Sequence, residues 1–384
     1  MKILQVIPFF TPARGGSVIV PYNLSKYLIK RGHEVTIITT DFEFDKEYAK
    51  LIKKEGVKVI TFHTLANIAL FLYSPSMKKW LNENIKNFDV IHIHNFRSYQ
   101  NIIVHYYAKK YGIPYVLQAH GSLPKIIEKQ RLKKLYDWVW GNKILKDASK
   151  LIAVSRVEME QYKKMSVDDS KIVLIPNGLH VERFKNLPRY GQFREKHGIK
   201  EKHMILFLGR VHKIKGVDFL IKSFGCLVKE VEDAVLVIAG PDDGYRKELE
   251  KLIENLDLRD SVKFVDYVDN VSEAYQDADV LVYPAIYEIF GLVPFEAIMC
   301  GTPIIVTDDN GCGELVKKAK CGYLVKYGDV NDLKEKMKLV IENPEEGKEM
   351  VERGKKYIME NLTWDKVVGK VEEVYKDSRS DDDI

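Results

Sequence analysis

The sequence has no long hydrophobic run. Its longest apolar stretches, such as "LANIALFLY" (65–73), fall well short of the roughly 20 residues a helix needs to cross a bilayer, so no segment is expected to span one. The start of the chain runs from Met1-Lys2 straight into "ILQVI", without the apolar core and small-residue cleavage site of a signal peptide. That pattern predicts a cytoplasmic protein. Cysteine is scarce: Cys226, Cys300, Cys312 and Cys321 form no C-x-x-C pair, and all four are read as reduced, with Cys300 in the core. The spacing G-x-G-x-x-G is absent, which counts against a nicotinamide-dependent oxidoreductase. There are no short repeats and no low-complexity blocks.

What is present is a 384-residue chain with 46% hydrophobic and 30% charged residues, enough to bury a core and to form two or three domains. The net charge of +5 hides an asymmetry: residues 1–184 carry 29 Lys+Arg against 16 Asp+Glu, and the remainder 31 against 39. One half is basic and the other acidic. Such polarisation marks a surface facing an anionic partner and says nothing about fold; nothing in the chain points to nucleic acid.

Short β-rich runs alternate with helical patterns along the first half: "KILQVI", "EVTIITT", "VKVITF", "DVIHIH", "PYVLQA", "KLIAVS" and "KIVLIP". That rhythm predicts βαβ units around a buried parallel sheet. A second series, "MILFLG", "AVLVIAG", "VKFVDY", "DVLVYP", "TPIIVT" and "GYLVKY", predicts a second doubly wound sheet. The Pro/Gly-punctuated stretch from Asn177 to Phe193 is read as the linker. The expected class is therefore α/β, with two Rossmann-like lobes facing across a cleft. The expected bounds are 1–180 for the first lobe and 181–361 for the second, then 362–377 for a C-terminal helix and 378–384 for an acidic tail.

Open parallel sheets bind ligands beyond the carboxyl ends of their strands, so the polar residues there carry the functional reading. Gly15 and Gly16 follow the first strand and precede a helix that Ser17 is expected to cap, either as a simple turn or as an anion cradle. Arg210 and Lys215 flank the next such end, in "LFLGRVHKIKG". A cation just before a helix opposes the macrodipole unless an anion is held there, so the pair is either two solvated charges or a phosphate site. In "YPAIYEIFGLVPFEAIMCG" (283–301), Phe290, Gly291 and Leu292 offer backbone N–H groups at a helix expected to start at Pro294. Glu296 would lie in its first turn, where an acid also complements the dipole. Glu288 lies in the loop before it, and a carboxylate beside an anion cradle suits hydroxyl recognition. Together these features suit a sugar on a diphosphate. His120 closes a strand in "YVLQAHGS"; His92 and His94 share a strand face, a spacing read as packing rather than metal ligation. Asp277 and Asp279 imitate a D-x-D metal motif but precede their strand and are read as structural.

In this order, "ARGGSVIVPYNLSKYLIKRGHEV", "AHGS", "IPNG", "GRVHKIKGVDFLIKSF", "ADVLVYPAIYEIFGLVPFEAIMCGTPII" and "TWDKVVGKVEEVY" resemble the retaining glycosyltransferases of family 4, which have the GT-B fold. The resemblance covers nearly the whole chain. One departure is Ile289, where the family commonly has glycine. It implies transfer from a UDP- or GDP-sugar to a glycan or lipid-phosphate acceptor, without cofactor or metal. It further implies that Glu288 binds the donor-sugar hydroxyls, Glu296 the ribose, and Arg210 and Lys215 the diphosphate. Amides around Gly15, Gly16, Phe290, Gly291 and Leu292 would assist, with Tyr267 and Val268 near the base. His120 would contact the donor sugar or its phosphate, Arg14, His94 and Ser122 would lie on the acceptor side, and the helix from Trp364 would cross back to the first lobe.

Three other readings share the architecture. In an oxidoreductase Asp41 would imitate the ribose-binding acid, a solute-binding protein would carry an export signal, and a glucan synthase or sugar-nucleotide epimerase would share the fold. The segment 123–150, with Lys125, Lys129, Arg131, Lys133, Lys134, Lys143, Lys146 and Lys150 beside Tyr136, Trp138 and Trp140, has two readings. It is either a solvated helix with aromatics packed on the sheet or a face for an anionic membrane or acceptor.

Overall fold

The computed structural model describes residues 1–68, 70–124 and 130–380. The chain divides into two compact units, one formed by Met1–Gly178 with the returning segment from Trp364, the other by Leu179–Thr363.

Unit 1 contains, in chain order, β1 (Lys2–Val6), β2 (Glu34–Thr40), β3 (Lys58–Phe62), β4 (Ala66–Ile68), β5 (Phe71–Tyr73), β6 (Val90–His94), β7 (Tyr115–Gln118), β8 (Lys150–Ala153) and β9 (Ile172–Leu174). Seven of them form a parallel sheet in the order β3-β2-β1-β6-β7-β8-β9. Helices cover both faces, so β6 and β7 are buried at every residue; continuous apolar runs rather than alternation are what such strands require. β4 and β5 pair antiparallel as a separate hairpin within the stretch read from sequence only as an apolar run.

The helix Trp364–Ser380 completes this unit. Trp364, Val367, Val368, Val371 and Tyr375 join the buried cluster of Ile3, Leu24 and Ile37, and Glu372 accepts hydrogen bonds from Arg31 and pairs with His33. A Cβ on Gly178 would overlap the Trp364 ring, so this glycine admits the indole against the backbone. The helix passes the expected boundary at 377 and is described as far as Ser380; residues 381–384 of the acidic tail lie outside the described residues.

Unit 2 contains β10 (His203–Leu208), β11 (Ala234–Ala239), β12 (Val262–Val265), β13 (Val280–Tyr283), β14 (Ile304–Thr307) and β15 (Tyr323–Val325). They form a parallel sheet in the order β12-β11-β10-β13-β14-β15. The expected linker 177–193 is not a free connector: Val181 and Phe184 are buried on a 3-10 turn, and a helix follows at Gln192–His197. Most of that punctuated stretch belongs to unit 2. Asp277 accepts from the Gly191 and Arg194 N–H groups, and Asp279 from Met204 N–H and the Arg194 guanidinium, so both carboxylates hold the helix that opens this unit to the sheet.

Candidate functional site

The strand order of unit 2 reverses between β10 and β13, the switch point at which open α/β sheets take ligands. Arg210 and Lys215 follow β10, and Glu288 follows β13. Gly216 has φ +67° and a Cβ on it would overlap the Pro284 carbonyl oxygen, while Ile286 N–H donates to the Ile214 carbonyl at 2.9 Å. These two contacts draw the Lys215 loop against the end of β13.

The result is a closed triad. Lys215 Nζ donates to Tyr283 Oη and to Glu288 Oε2, both at 2.8 Å, and Tyr283 Oη–H donates to the same carboxylate oxygen at 2.7 Å. The other oxygen, Oε1, accepts the Ile289 and Phe290 N–H groups at 3.0 and 3.4 Å. Burial alone would raise the Glu288 carboxyl, but the Lys215 charge, aided by the hydrogen bonds from Lys215, Tyr283 and Phe290, holds it below its ordinary range. The same burial, with Glu288 alongside, pushes the Tyr283 phenol well up. A charged carboxylate and a neutral phenol therefore share one cation. In the sequence Tyr283 reads as the last residue of an apolar strand, and only the partners of its hydroxyl place it in the site.

The helix after Glu288 begins at Leu292 rather than Pro294, with Gly291 before it at φ +73°. Proline is tolerated two residues in because the first N–H groups of a helix have no partner within it. Glu296 consequently lies past the first turn, which contains no acid, so complementing the dipole does not explain it. Its carboxyl is raised by burial, and Tyr275 Oη–H donates to it at 3.1 Å. Arg210 reaches outward and pairs with Asp243 at 2.5 Å. Tyr267 and Val268 follow β12, and Tyr267 is 74% exposed.

In unit 1, Gly15 has φ +66° and precedes the helix Gly16–Lys30 without any side-chain cap. Ser17, expected to cap it, donates instead to the Arg14 carbonyl at 3.1 Å. Arg14 forms a two-point pair with Glu43 at 2.6 and 2.7 Å. His94 Nδ1 lies 2.9 Å from His120 Nε2, with Gln5 on its other nitrogen, and His92 Nδ1 lies 2.7 Å from Tyr375 Oη. Burial pushes the His92 and His94 imidazoles well below their ordinary value, and desolvation lowers His120 to about 3 although its side chain is only half-buried. The Ser122 hydroxyl donates to Ala119 O and accepts from Phe96 N–H, so it serves the turn it sits in. Asp41, the ribose-binding acid of the oxidoreductase reading, is engaged by His63 at 2.6 Å and Thr64 N–H at 2.7 Å.

Two doubly wound lobes, one of them carrying a cation, a phenol and two carboxylates after the strands at its switch point, are the architecture of the GT-B fold. Two family models match in succession, "Glycosyltransferase Family 4" over residues 14–183 and "Glycosyl transferases group 1" over 190–357; the chain belongs to these glycosyltransferases. It is 28% identical over 385 residues to N-acetyl-alpha-D-glucosaminyl L-malate synthase of Bacillus anthracis, covering 97% of this chain and 96% of that one. It is 25% identical over 300 residues to the lipopolysaccharide glucosyltransferase WaaG of Escherichia coli, 77% of each chain. Among solved structures, Anabaena HepE in complex with UDP and glucose superposes with a TM-score of 0.82 at 19% identity, covering 98% of this chain and 99% of that one.

Proposed function

We propose that the protein moves a sugar, with retention of configuration and without a metal ion, from a UDP- or GDP-α-sugar to a hydroxyl of a glycan or lipid-linked acceptor. The Lys215–Tyr283–Glu288 triad at the switch point carries this reading. Departure of a nucleoside diphosphate needs preorganised positive charge, and the oxocarbenium-like centre left behind needs a carboxylate nearby. Lys215 and Arg210 are assigned to the diphosphate, aided by N–H groups of the Phe290–Leu292 turn. Glu288 is assigned to the sugar, Glu296 to the ribose, and Tyr267 and Val268 to the base. His120 is assigned a substrate contact in unit 1. HepE, of the same fold, has been solved in complex with UDP-glucose, which supports the donor class.

Screening UDP-, GDP- and ADP-sugars by thermal shift in excess EDTA tests the donor. One sugar nucleotide at 100 times its Kd is expected to add about 2.7 kcal/mol, and turnover of that donor should persist in EDTA. Replacing Arg210 or Lys215 by alanine is expected to cost on the order of 100-fold in turnover. Stabilisation by none of them removes the donor assignment, and loss of activity in EDTA with rescue by Mg²⁺ or Mn²⁺ removes the metal-independent one.

For the acceptor, the observation that favours an anionic partner is the exposed face of residues 130–147. Leu132, Leu135, Trp138 and Trp140 are exposed, Trp138 to 78%, whereas Tyr136 is buried. Packing on the sheet thus accounts for one of the three aromatics. Among the described residues no helix is long and apolar enough to cross a membrane, so contact would be peripheral; Lys125 and Lys129 lie outside the described residues. Co-sedimentation should show binding to anionic but not neutral vesicles, lost in high salt and in Lys133→Glu/Lys134→Glu. Absence of binding at low salt would make the acceptor a soluble one.

A further inference from the structure

His120 stands at the first corner of a tight turn, with φ +52° for His120 and +79° for Gly121 and Ser122 N–H closing onto Ala119 O at 3.1 Å. A non-glycine residue in the left-handed region is uncommon, and such strain persists only where the surroundings over-determine it. The structure shows what does so. The helix Arg156–Lys163 lies behind the turn and presents two side chains, one helical turn apart, that are both 0% exposed. Tyr162 Oη accepts the Ala119 N–H at 3.0 Å, and Glu158 Oε1 accepts the Gly121 N–H at 2.7 Å. The backbone is thus gripped on both sides of His120. Glu158 Oε2 accepts Val154 N–H at 2.9 Å, and Tyr162 Oη lies 3.4 Å from Ile152 O, which ties both clamps to the end of β8. The front of the turn is held by Arg97, whose guanidinium donates to Ser122 O at 2.6 Å and Leu123 O at 2.8 Å.

We propose that Glu158 and Tyr162 are positioning residues whose work is to hold His120 in this left-handed turn, at the angle its substrate contact requires. The inference rests on the role assigned to His120 above. A carboxylate is an improbable choice for mere filling. Burial pushes Glu158 up to about 7 even though the Val154 and Gly121 N–H groups pull it down, so the fold keeps an acid where its charged form is disfavoured. Two backbone donors facing one side chain need two acceptor oxygens, and only a carboxylate supplies both. Glutamine supplies one oxygen and turns an NH₂ group on the second donor; phenylalanine at 162 leaves the Ala119 N–H buried without its acceptor.

The test compares Glu158→Gln, Tyr162→Phe, His120→Ala and the double variants with the full chain, following nucleoside diphosphate release from the UDP- or GDP-sugar selected by the thermal screen. Glu158→Gln and Tyr162→Phe are each expected to lower kcat about 10- to 100-fold with donor KM within a few-fold, the scale for small misplacement of a reacting group. Neither should lower kcat further in the His120→Ala background. The His120 ring resonances in NMR spectra of both single variants should move, which reads the turn directly even where a variant is less stable. Equal losses in the wild-type and His120→Ala backgrounds, or unmoved His120 resonances, overturn the clamp while leaving the role of His120 intact. Wild-type kcat in His120→Ala alone removes that role and the clamp with it.

Discussion

Glu288→Gln is expected to lower kcat on the order of 100-fold or more, with the fold retained. Glutamine keeps the shape of the side chain but not its charge, and the charge is what the surroundings are built to hold: Lys215 and Tyr283 both donate to one carboxylate oxygen and backbone N–H groups to the other. If that carboxylate faces charge that develops only as the glycosidic bond breaks, its loss appears in kcat, on the scale of 10²–10³ seen roughly for preorganised electrostatic groups. Glu296→Ala should behave differently. Its carboxyl sits deeper in the helix, raised by burial and bonded to Tyr275, and the ribose contact proposed for it would be made equally in ground and transition states, so donor KM should rise with kcat largely kept. Because Trp80, Trp138, Trp140 and Trp364 account for all 4 tryptophans and belong to unit 1, folding of unit 2 in these variants must be followed by calorimetry or circular dichroism. Near-wild-type kcat for Glu288→Gln in a folded protein would contradict the assignment.

Much of this architecture is legible in the sequence because buried parallel strands have a simple signature. "DVIHIH" and "DVLVYP" are short, β-branched and bounded by polar punctuation, and they became β6 and β13. Arg210, Lys215 and Glu288 were found the same way, as polar residues where an apolar strand gives out. What stayed hidden depends on contacts that chain order does not reveal. Tyr283 reads as one more apolar strand residue until its hydroxyl meets Lys215. Glu158 and Tyr162 sit in "RVEMEQYKK", whose composition suggests a solvated helix, and only the return of β7 beside β8 places the turn at His120 over them. The β4–β5 hairpin was concealed because three-residue strands carry no periodicity. The helix starts at Leu292, two residues before the expected Pro294, because proline marks the first turn of a helix but not a unique position within it.

Unit 1 is expected to lose stability steeply as pH falls below about 6.5, and the buried histidines are the cause. His92 and His94 are 0% exposed, and burial holds both, with His120, far below their ordinary value. In the unfolded chain each takes up a proton near pH 6.5, whereas in the native state it does not. A depressed histidine therefore contributes stability that is present above the unfolded value and is lost as pH falls. Glu158 acts in the opposite sense. Its carboxyl, raised to about 7, is protonated in the native state and ionised in the unfolded chain between about pH 4.5 and 7, so it offsets one of the three. The net of two protons corresponds to about 3 kcal/mol per pH unit between roughly pH 6 and 5, a large share of the 5–15 kcal/mol or so that typically separates folded from unfolded states. Denaturant unfolding followed by tryptophan fluorescence reads unit 1 selectively and should show this slope. His92→Asn, whose side-chain amide can occupy the position of Nδ1 opposite Tyr375, should reduce the slope by about one proton's worth, and Glu158→Gln should steepen it by the same amount. A wild-type stability that stays flat from pH 7 to 5, or a slope unmoved by both substitutions, would show that these groups do not titrate as their burial requires.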